Sequence, residues 1–311
     1  MPRKLRKLSD RWKKQRKAGD KIMDDAQADD LIIPLMGPTG VGKSSFINAY
    51  LGTAVAQVGH ELESCTRHID WYSTILPPKS CYAGRRLILV DTPGFDDTYA
   101  DDAEILRRIG VWLAASYANG TSLAGVIYLH DINQKRMLGS TRLNLKMFER
   151  LVGKDSLPTV SLVTTQWETV RVQAGVDREK ELSAEFWTDA LKGGATVSRV
   201  QKTPEHPKPH LDVVENVLRR HFESKAKARA LLIQQELVDK ERIIPLTTAG
   251  QELKYSLQHV LELQKQLGDS VDDDDRRREL VDRIEATKNQ VIALSPTMKA
   301  KVRSWIKDLI K

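Results

Sequence analysis

The sequence predicts an α/β protein: a three-layer sandwich on a mostly parallel, six-stranded sheet, followed by C-terminal α-helices. Three observations predict it. Short, continuously apolar runs alternate with segments of helical periodicity through the first two-thirds of the chain. The first of these runs leads straight into the glycine-rich stretch GPTGVGKS, residues 37–44. Beyond about residue 222 strand signals stop and only helical spacing remains.

The elements follow in order. Residues 31–36, LIIPLM, read as a buried strand, and 43–51 as a helix, because Gly42 is the last glycine before a run without breakers. Residues 66–76 partly alternate and suit an edge strand. Residues 86–90 are a second buried strand that ends in DTPGFDDT. Ile105, Ile109, Trp112 and Leu113 share one face of a helix over 103–117. LAGVIYLHDI is the next strand and 143–151 the next helix. TVSLVTT from Thr159, a helix around 178–191, a weaker strand ATVSRV from Ala195 and a helix from about His210 complete the pattern. Right-handed crossovers are then expected, with ligands at the carboxyl ends of the strands.

After residue 222, Leu253, Leu257, Val260, Gln264 and Leu267 step by fours and threes, and Leu280, Ile284, Val291, Leu294 and Met298 do much the same. Ser270 suits a helix cap, and Ser295-Pro296 suits the start of a short terminal helix carrying Val302, Trp305, Ile306 and Leu309. A helical hairpin plus a terminal helix results, either packed back on the core or pairing as a coiled coil. The organisation reads as a basic arm over 1–29, a nucleotide domain over 30–222 and a helical extension over 223–311.

Charge is unevenly placed. The chain carries a net +7, yet residues 1–22 alone hold ten lysines and arginines against Asp10 and Asp20, so the remainder is near neutral. That distribution argues against a specific nucleic-acid site on the body. In the arm, Leu5, Leu8 and Trp12 form an apolar stripe among basic residues. Such a segment suits an anionic membrane surface or another acidic partner, a nuclear-localisation or RNA-tethering tail, or a solvated arm. No run is apolar and long enough to span a bilayer, and no apolar stretch of the kind found in secretory signals follows the basic N-terminus. Cys65 and Cys81 fit neither a metal spacing nor a disulfide framework, so the reduced cytoplasm is the expected compartment, with a peripheral-membrane or nuclear address left open by the arm.

GPTGVGKS matches G-x-x-x-x-G-K-[ST] between a strand and a helix, the context this phosphate-binding loop requires. Gly37 turns the strand sharply. Gly40 and Gly42 leave room for backbone N–H groups, with Pro38, Thr39 and Val41 between them, to wrap phosphate oxygens. Lys43 supplies a cation for the β- and γ-phosphates, Ser44 a hydroxyl for Mg²⁺, and Ser45 sits near the α-phosphate. In LILVDTPG, Asp91 is the candidate carboxylate for Mg²⁺ and the Gly94 N–H a candidate contact to the γ-phosphate. Thr66 lies between the two motifs as a candidate hydroxyl for Mg²⁺, with Ser64 and Thr74 as competitors.

Gly37 to Ser44, Thr66 and Asp91 to Gly94 together resemble the G domains related to translation factors. Within that class GPTGVGKSSFIN and DTPGFDDT resemble the septin-like and immunity-associated GTPases. GHELESCT, IYLHDINQKRMLGS and LVTTQWE resemble the large set of G-domain proteins found in fungi. The resemblance covers residues 31–222 and implies a Ras-like sheet with one antiparallel edge strand, GTP or GDP as ligand and Mg²⁺ as cofactor; pairing of two copies through the G domain is one option beside a lone chain.

Two positions depart from the pattern. Guanine is ordinarily read by N-K-x-D, whose aspartate accepts from the two N–H groups on the base edge. Here the strand is followed by Thr165-Gln166-Trp167-Glu168, so Glu168 stands where the aspartate would, Gln166 could lay its stem on the base, and Trp167 could stack or pack. A later base-contacting loop has only Ala195 or Ser198 as candidates. Ras-type proteins place a water-orienting glutamine after D-x-x-G; this chain has Phe95, then Asp96 and Asp97. Hydrolysis then needs a group near Thr66, His60 or His68, or one from a partner, for which Arg107 and Arg108 are candidates as an arginine finger supplied in trans. His130 and Asp131 end a strand on the ligand side, either lining the site or serving structure. His206 and His210 lie in a proline-rich loop without obvious co-ligands. Three functions fit: a GTPase switch with slow hydrolysis raised by dimerisation, a nucleotide-dependent scaffold that barely hydrolyses, and an ATP-using kinase or ATPase.

Overall fold

The computed structural model describes residues 3–23, 25–27, 29–58, 68–94, 101–137, 139–223, 230–268 and 274–297. Six strands, β1 (Leu31–Met36), β2 (Asp70–Ile75), β3 (Arg86–Asp91), β4 (Val126–Asp131), β5 (Val160–Thr165) and β6 (Thr196–Arg199), form one sheet in the order β2-β3-β1-β4-β5-β6. All pairs are parallel except β2–β3, the antiparallel edge expected from the resemblance. Every residue of β1 and β5 is buried, as strands covered on both faces must be. Pro34 has no N–H to give. It lies between an isolated bridge at Ile32–Leu123 and the β1–β4 ladder, which starts at Leu35–Ile127.

Alternate side chains sort to two cores. Leu31, Ile33 and Leu35 of β1 face Phe46 and Ile47 of α2 (Lys43–Leu51) and Val213, Val217 and Leu218 of α7 (Pro209–Glu223). Ile32 and Met36 face the other way, toward α3 (Asp102–Ala118) and α4 (Gly139–Val152). Between β5 and β6 run α5 (Val172–Glu181), a π-helical turn at Leu182–Phe186 and α6 (Thr188–Lys192).

α3 is buried nearly all round because it is sandwiched. On its outer side lie α8 (Leu232–Gln234), the π-turn Gln235–Asp239 and the first half of α9 (Thr248–Gly268), which bring Ile233, Leu237, Ile244, Ala249, Leu253 and Leu257 into the core. α10 (Asp274–Ala293) folds back along α9. The expected hairpin is therefore present, and its near half packs on the body. Farther along, Val260, Leu263 and Val281 are exposed. The expected terminal helix beyond Pro296, and Met298 with it, lies outside the described residues.

The arm also packs. α1 (Arg3–Lys13) lies along α3, with Trp12 buried and Leu8 partly so. Leu8 and Trp12 of the apolar stripe are taken up within the molecule, which leaves Lys7, Arg11, Lys14, Arg16 and Lys17 exposed as a basic outer face.

Candidate functional site

Gly37 to Ser45, Asp91, Gly94, Gln166 and Glu168 lie together at the end of the sheet where the parallel strands stop. The loop after β1 opens with Gly37 at φ +134°, where a Cβ would meet the Leu129 carbonyl oxygen of β4 at 2.3 Å, so only glycine fits. Gly40 and Gly42 follow at φ +81° and +91°; a Cβ at Gly40 would meet nothing within 4 Å, and its open side is where an anion can approach the backbone. Lys43 is buried, with Nζ donating to the Gly37 and Pro38 carbonyls at 3.0 and 2.8 Å, so the ammonium is held inside the curl of the loop. α2 begins here and aims its N-terminal N–H groups at the same space.

The segment after β3 closes the other side. Ser44 Oγ donates to Asp91 Oδ2 at 2.5 Å, across 47 residues of sequence. Asp91 Oδ1 is buried and has no hydrogen-bond partner among the described residues. Burial pushes the Asp91 carboxyl above the usual carboxylate range, against the pull of the Lys43 ammonium and the Ser44 hydroxyl. A hydroxyl beside a buried carboxylate with one oxygen unmatched is a donor set that fits a hard divalent cation. Thr92 Oγ1 donates to the Leu35 carbonyl at 2.7 Å and pins the segment to β1. Gly94 then lies so close to the loop that a Cβ would stand 2.4 Å from the Thr39 nitrogen.

At the other end of the groove the loop after β5 meets the phosphate loop. Thr165 Oγ1 donates to the Val41 carbonyl at 2.9 Å, with the His130 carbonyl at 3.2 Å. Gln166 adopts a left-handed φ of 62°, uncommon for a residue with a side chain, and its amide nitrogen lies 3.9 Å from where a Gly42 Cβ would be. Glu168 is exposed on the rim. Beside them opens a cavity of about 590 Å³, whose walls include Ser45, Phe46, Gln166, Glu168, Lys202 and His210.

Residues 32–164 match the model of the 50S ribosome-binding GTPase family. GTP-binding protein A of Dictyostelium discoideum is 27% identical over 151 residues, which are 48% of this chain and 31% of that protein, so the chain matches less than a third of its relative's length. Toc33 from Arabidopsis thaliana, in complex with Mg²⁺ and GMPPNP, superposes with a TM-score of 0.51 at 14% identity, covering 74% of this chain and 96% of that one. A structure of the chloroplast translocon components atToc33 and psToc159 superposes at 0.50 and 15% identity, covering 62% of this chain and 83% of that one.

The chain has the Ras-like fold of the P-loop GTPases. Within the domain several expected residues fall elsewhere than the sequence suggested. Thr66, Ser64 and His60 lie outside the described residues, as do Phe95, Asp96 and Asp97. Thr74 pairs with Leu87 while Asp70 pairs with Asp91, so Thr74 is four residues, roughly 13 Å, down β2 from the site and cannot serve it. His68 packs against Gly19 of the N-terminal segment. Arg108 is 4% exposed and paired with Asp20, so it is not available as a finger for a second copy. Arg107 is half-buried and already bound to Glu104 and the Gln15 carbonyl.

Trp167 packs rather than stacks: it is buried, its Nε1 donates to Thr164 Oγ1 at 3.0 Å, and the Arg199 guanidinium covers its ring. Ala195 precedes β6 at the far edge, and the residues that follow β6, including Lys202 and Pro207 to His210, line the cavity instead of Ala195 or Ser198. His130 is buried edge-on to Trp187, and desolvation holds its imidazole down to about 4, which fits structure rather than ligand contact. His206 does have a carboxylate partner, Asp212, at 2.8 Å on the surface. Thr165 is the residue sequence reasoning missed. The threonine stands where the base motif usually begins with asparagine, and that position was its only signal.

Proposed function

We propose that the chain is a guanine-nucleotide switch with slow hydrolysis. The main-chain N–H groups of Gly37 to Ser45 cradle the phosphates, and Lys43 neutralises them. Ser44, Asp91 and Thr66 hold Mg²⁺, which when bound offsets phosphate charge. Gly94 contacts the γ-phosphate. Glu168 reads the guanine edge, and Gln166 covers the base. The observation that carries this reading is the ready-made contact of Ser44 with Asp91, whose second oxygen has no hydrogen-bond partner among the described residues. The motif resemblance further supports a septin-like and immunity-associated relationship, and the exposed basic face of α1 supports an acidic partner such as an anionic membrane, at the membrane periphery of the cytoplasm.

Dimerisation is important for the GTPase activity of the structural neighbours atToc33 and psToc159. By analogy two copies of this chain pair through the G domain, with the stimulating group drawn from residues other than Arg107 and Arg108. A scaffold that binds nucleotide without hydrolysing it is the second reading, favoured by Phe95 at the water-orienting position and by the engagement of both arginines. Phosphate release per chain, measured as protein concentration rises, separates the two. A rising rate supports the dimerising switch; flat, near-zero turnover supports the scaffold.

A further inference from the structure

We propose that Asp20 is a positioning residue for the nucleotide switch, so that the N-terminal segment, which precedes the residues matched by the GTPase family model, is a working part of it. The inference rests on the guanine-nucleotide reading above.

Asp20 is 6% exposed and joins two places far apart in sequence. Its Oδ1 accepts the Ile69 N–H at 2.9 Å. The Arg108 guanidinium grips the same carboxylate with two donors, Nε to Oδ2 at 2.9 Å and Nη2 to Oδ1. Lys21 extends the joint: its N–H donates to the Ile69 carbonyl at 2.8 Å, and its Nζ lies 2.7 Å from Asp70. Gly19, at φ +95°, lets the His68 ring close over the chain; a Cβ there would stand 2.4 Å from that ring. One buried carboxylate thus fixes the entry of β2 to the first half of α3.

Both anchor points lie beside the nucleotide motifs. His68 to Asp70 begin two residues after Thr66 in the chain, and α3 is the first helix after Gly94 among the described residues. β2 is an edge strand with β3 as its sole neighbour in the sheet, and its first residue stands level with Asp91. An edge strand entry has no second strand to hold it, and Asp20 with Lys21 takes that place. A bidentate, desolvated Arg–Asp pair is geometrically demanding, so it transmits position rather than merely adding attraction. Loss of this joint is expected to disturb contacts that depend on the γ-phosphate and to leave those to the α- and β-phosphates, which come from the loop after β1, in place.

The test compares Asp20→Asn and Lys21→Pro with the unsubstituted full chain. Equilibrium binding of labelled GDP and of a non-hydrolysable GTP analogue is measured with Mg²⁺, alongside thermal melts. In both variants the ratio of analogue to GDP affinity is expected to fall about tenfold, with GDP affinity held within about twofold. A purely structural role would lower the melting temperature and weaken both nucleotides alike, and that outcome, or an unchanged ratio, overturns the proposal. Should Asp20→Asn fail to fold, Lys21→Pro decides, since it removes the Lys21 N–H and ammonium from the joint and leaves the Asp20–Arg108 pair whole. If the unsubstituted chain binds neither nucleotide, it is the underlying reading that falls.

Discussion

The two ends of the nucleotide groove are built on different principles. At the phosphate end the work is done by backbone: glycines at conformations or spacings that exclude a side chain, carbonyls that hold Lys43, and a helix N-terminus. The proposed base end is lined instead by side chains on loops: Gln166 in a left-handed conformation, Glu168 exposed, and Lys202 and His210 on the far wall. Backbone geometry is nearly independent of what the ligand carries beyond its phosphates. Side chains on a rim are where selectivity is set and altered. The phosphate end should therefore decide whether a nucleotide binds, and the base end which one.

Lys43→Ala gives the largest effect that can break this division. Affinity is expected to fall by more than about 100-fold for GTP and ATP alike in an equilibrium titration, because the removed charge meets groups common to both. Loss confined to one nucleotide would erase the distinction between the ends. Gly37→Ala comes next. A Cβ 2.3 Å from the Leu129 oxygen, on a backbone at φ +134°, is expected to cost at least about 2 kcal/mol in a denaturant melt. Unchanged stability would mean that the loop is not tied to β4.

The platform beneath both ends carries a pH signature. His130 lies on β4 between the two, and burial lowers its imidazole from an ordinary 6.5 to about 4. The unfolded chain then binds a proton that the folded one refuses. The stability this group contributes is complete above about pH 6.5 and is lost as pH falls toward 4, on the order of 2–3 kcal/mol. His130→Gln should flatten that part of the stability curve; an equal slope in the variant would contradict it. The smallest effect sharpens the base end. Glu168→Ala is expected to weaken GTP about 10-fold or more and leave ATP within about twofold, the scale of a hydrogen bond to a charged group. Equal loss of both would remove Glu168 from base reading.

What the sequence showed follows the same division. The strand–GPTGVGKS–helix unit was legible residue by residue, because a backbone anion site demands glycines at fixed spacing and nothing else satisfies it. The sheet was legible too: buried strands such as LIIPLM and RLILVD are continuous apolar runs, and the antiparallel edge came with the resemblance. Side-chain contacts with distant parts of the chain were not. Thr165 reaches Val41 across 124 residues and Asp20 reaches Arg108 across 88, and neither residue type at those positions announces a partner. The arm's apolar stripe was visible as periodicity, yet an amphipathic helix looks the same whether its apolar face meets a membrane or α3. The loop after β6 failed for another reason: Pro204, Pro207 and Pro209 mark it as irregular without saying which atoms face the cavity.

The most direct test of the central claim is the number of guanine nucleotides held per full-length chain, measured by equilibrium binding of labelled GTP with and without Mg²⁺. The account predicts one nucleotide per chain, held more tightly with Mg²⁺ and released by Lys43→Ala. A folded chain that holds no nucleotide at millimolar GTP and Mg²⁺ would contradict it.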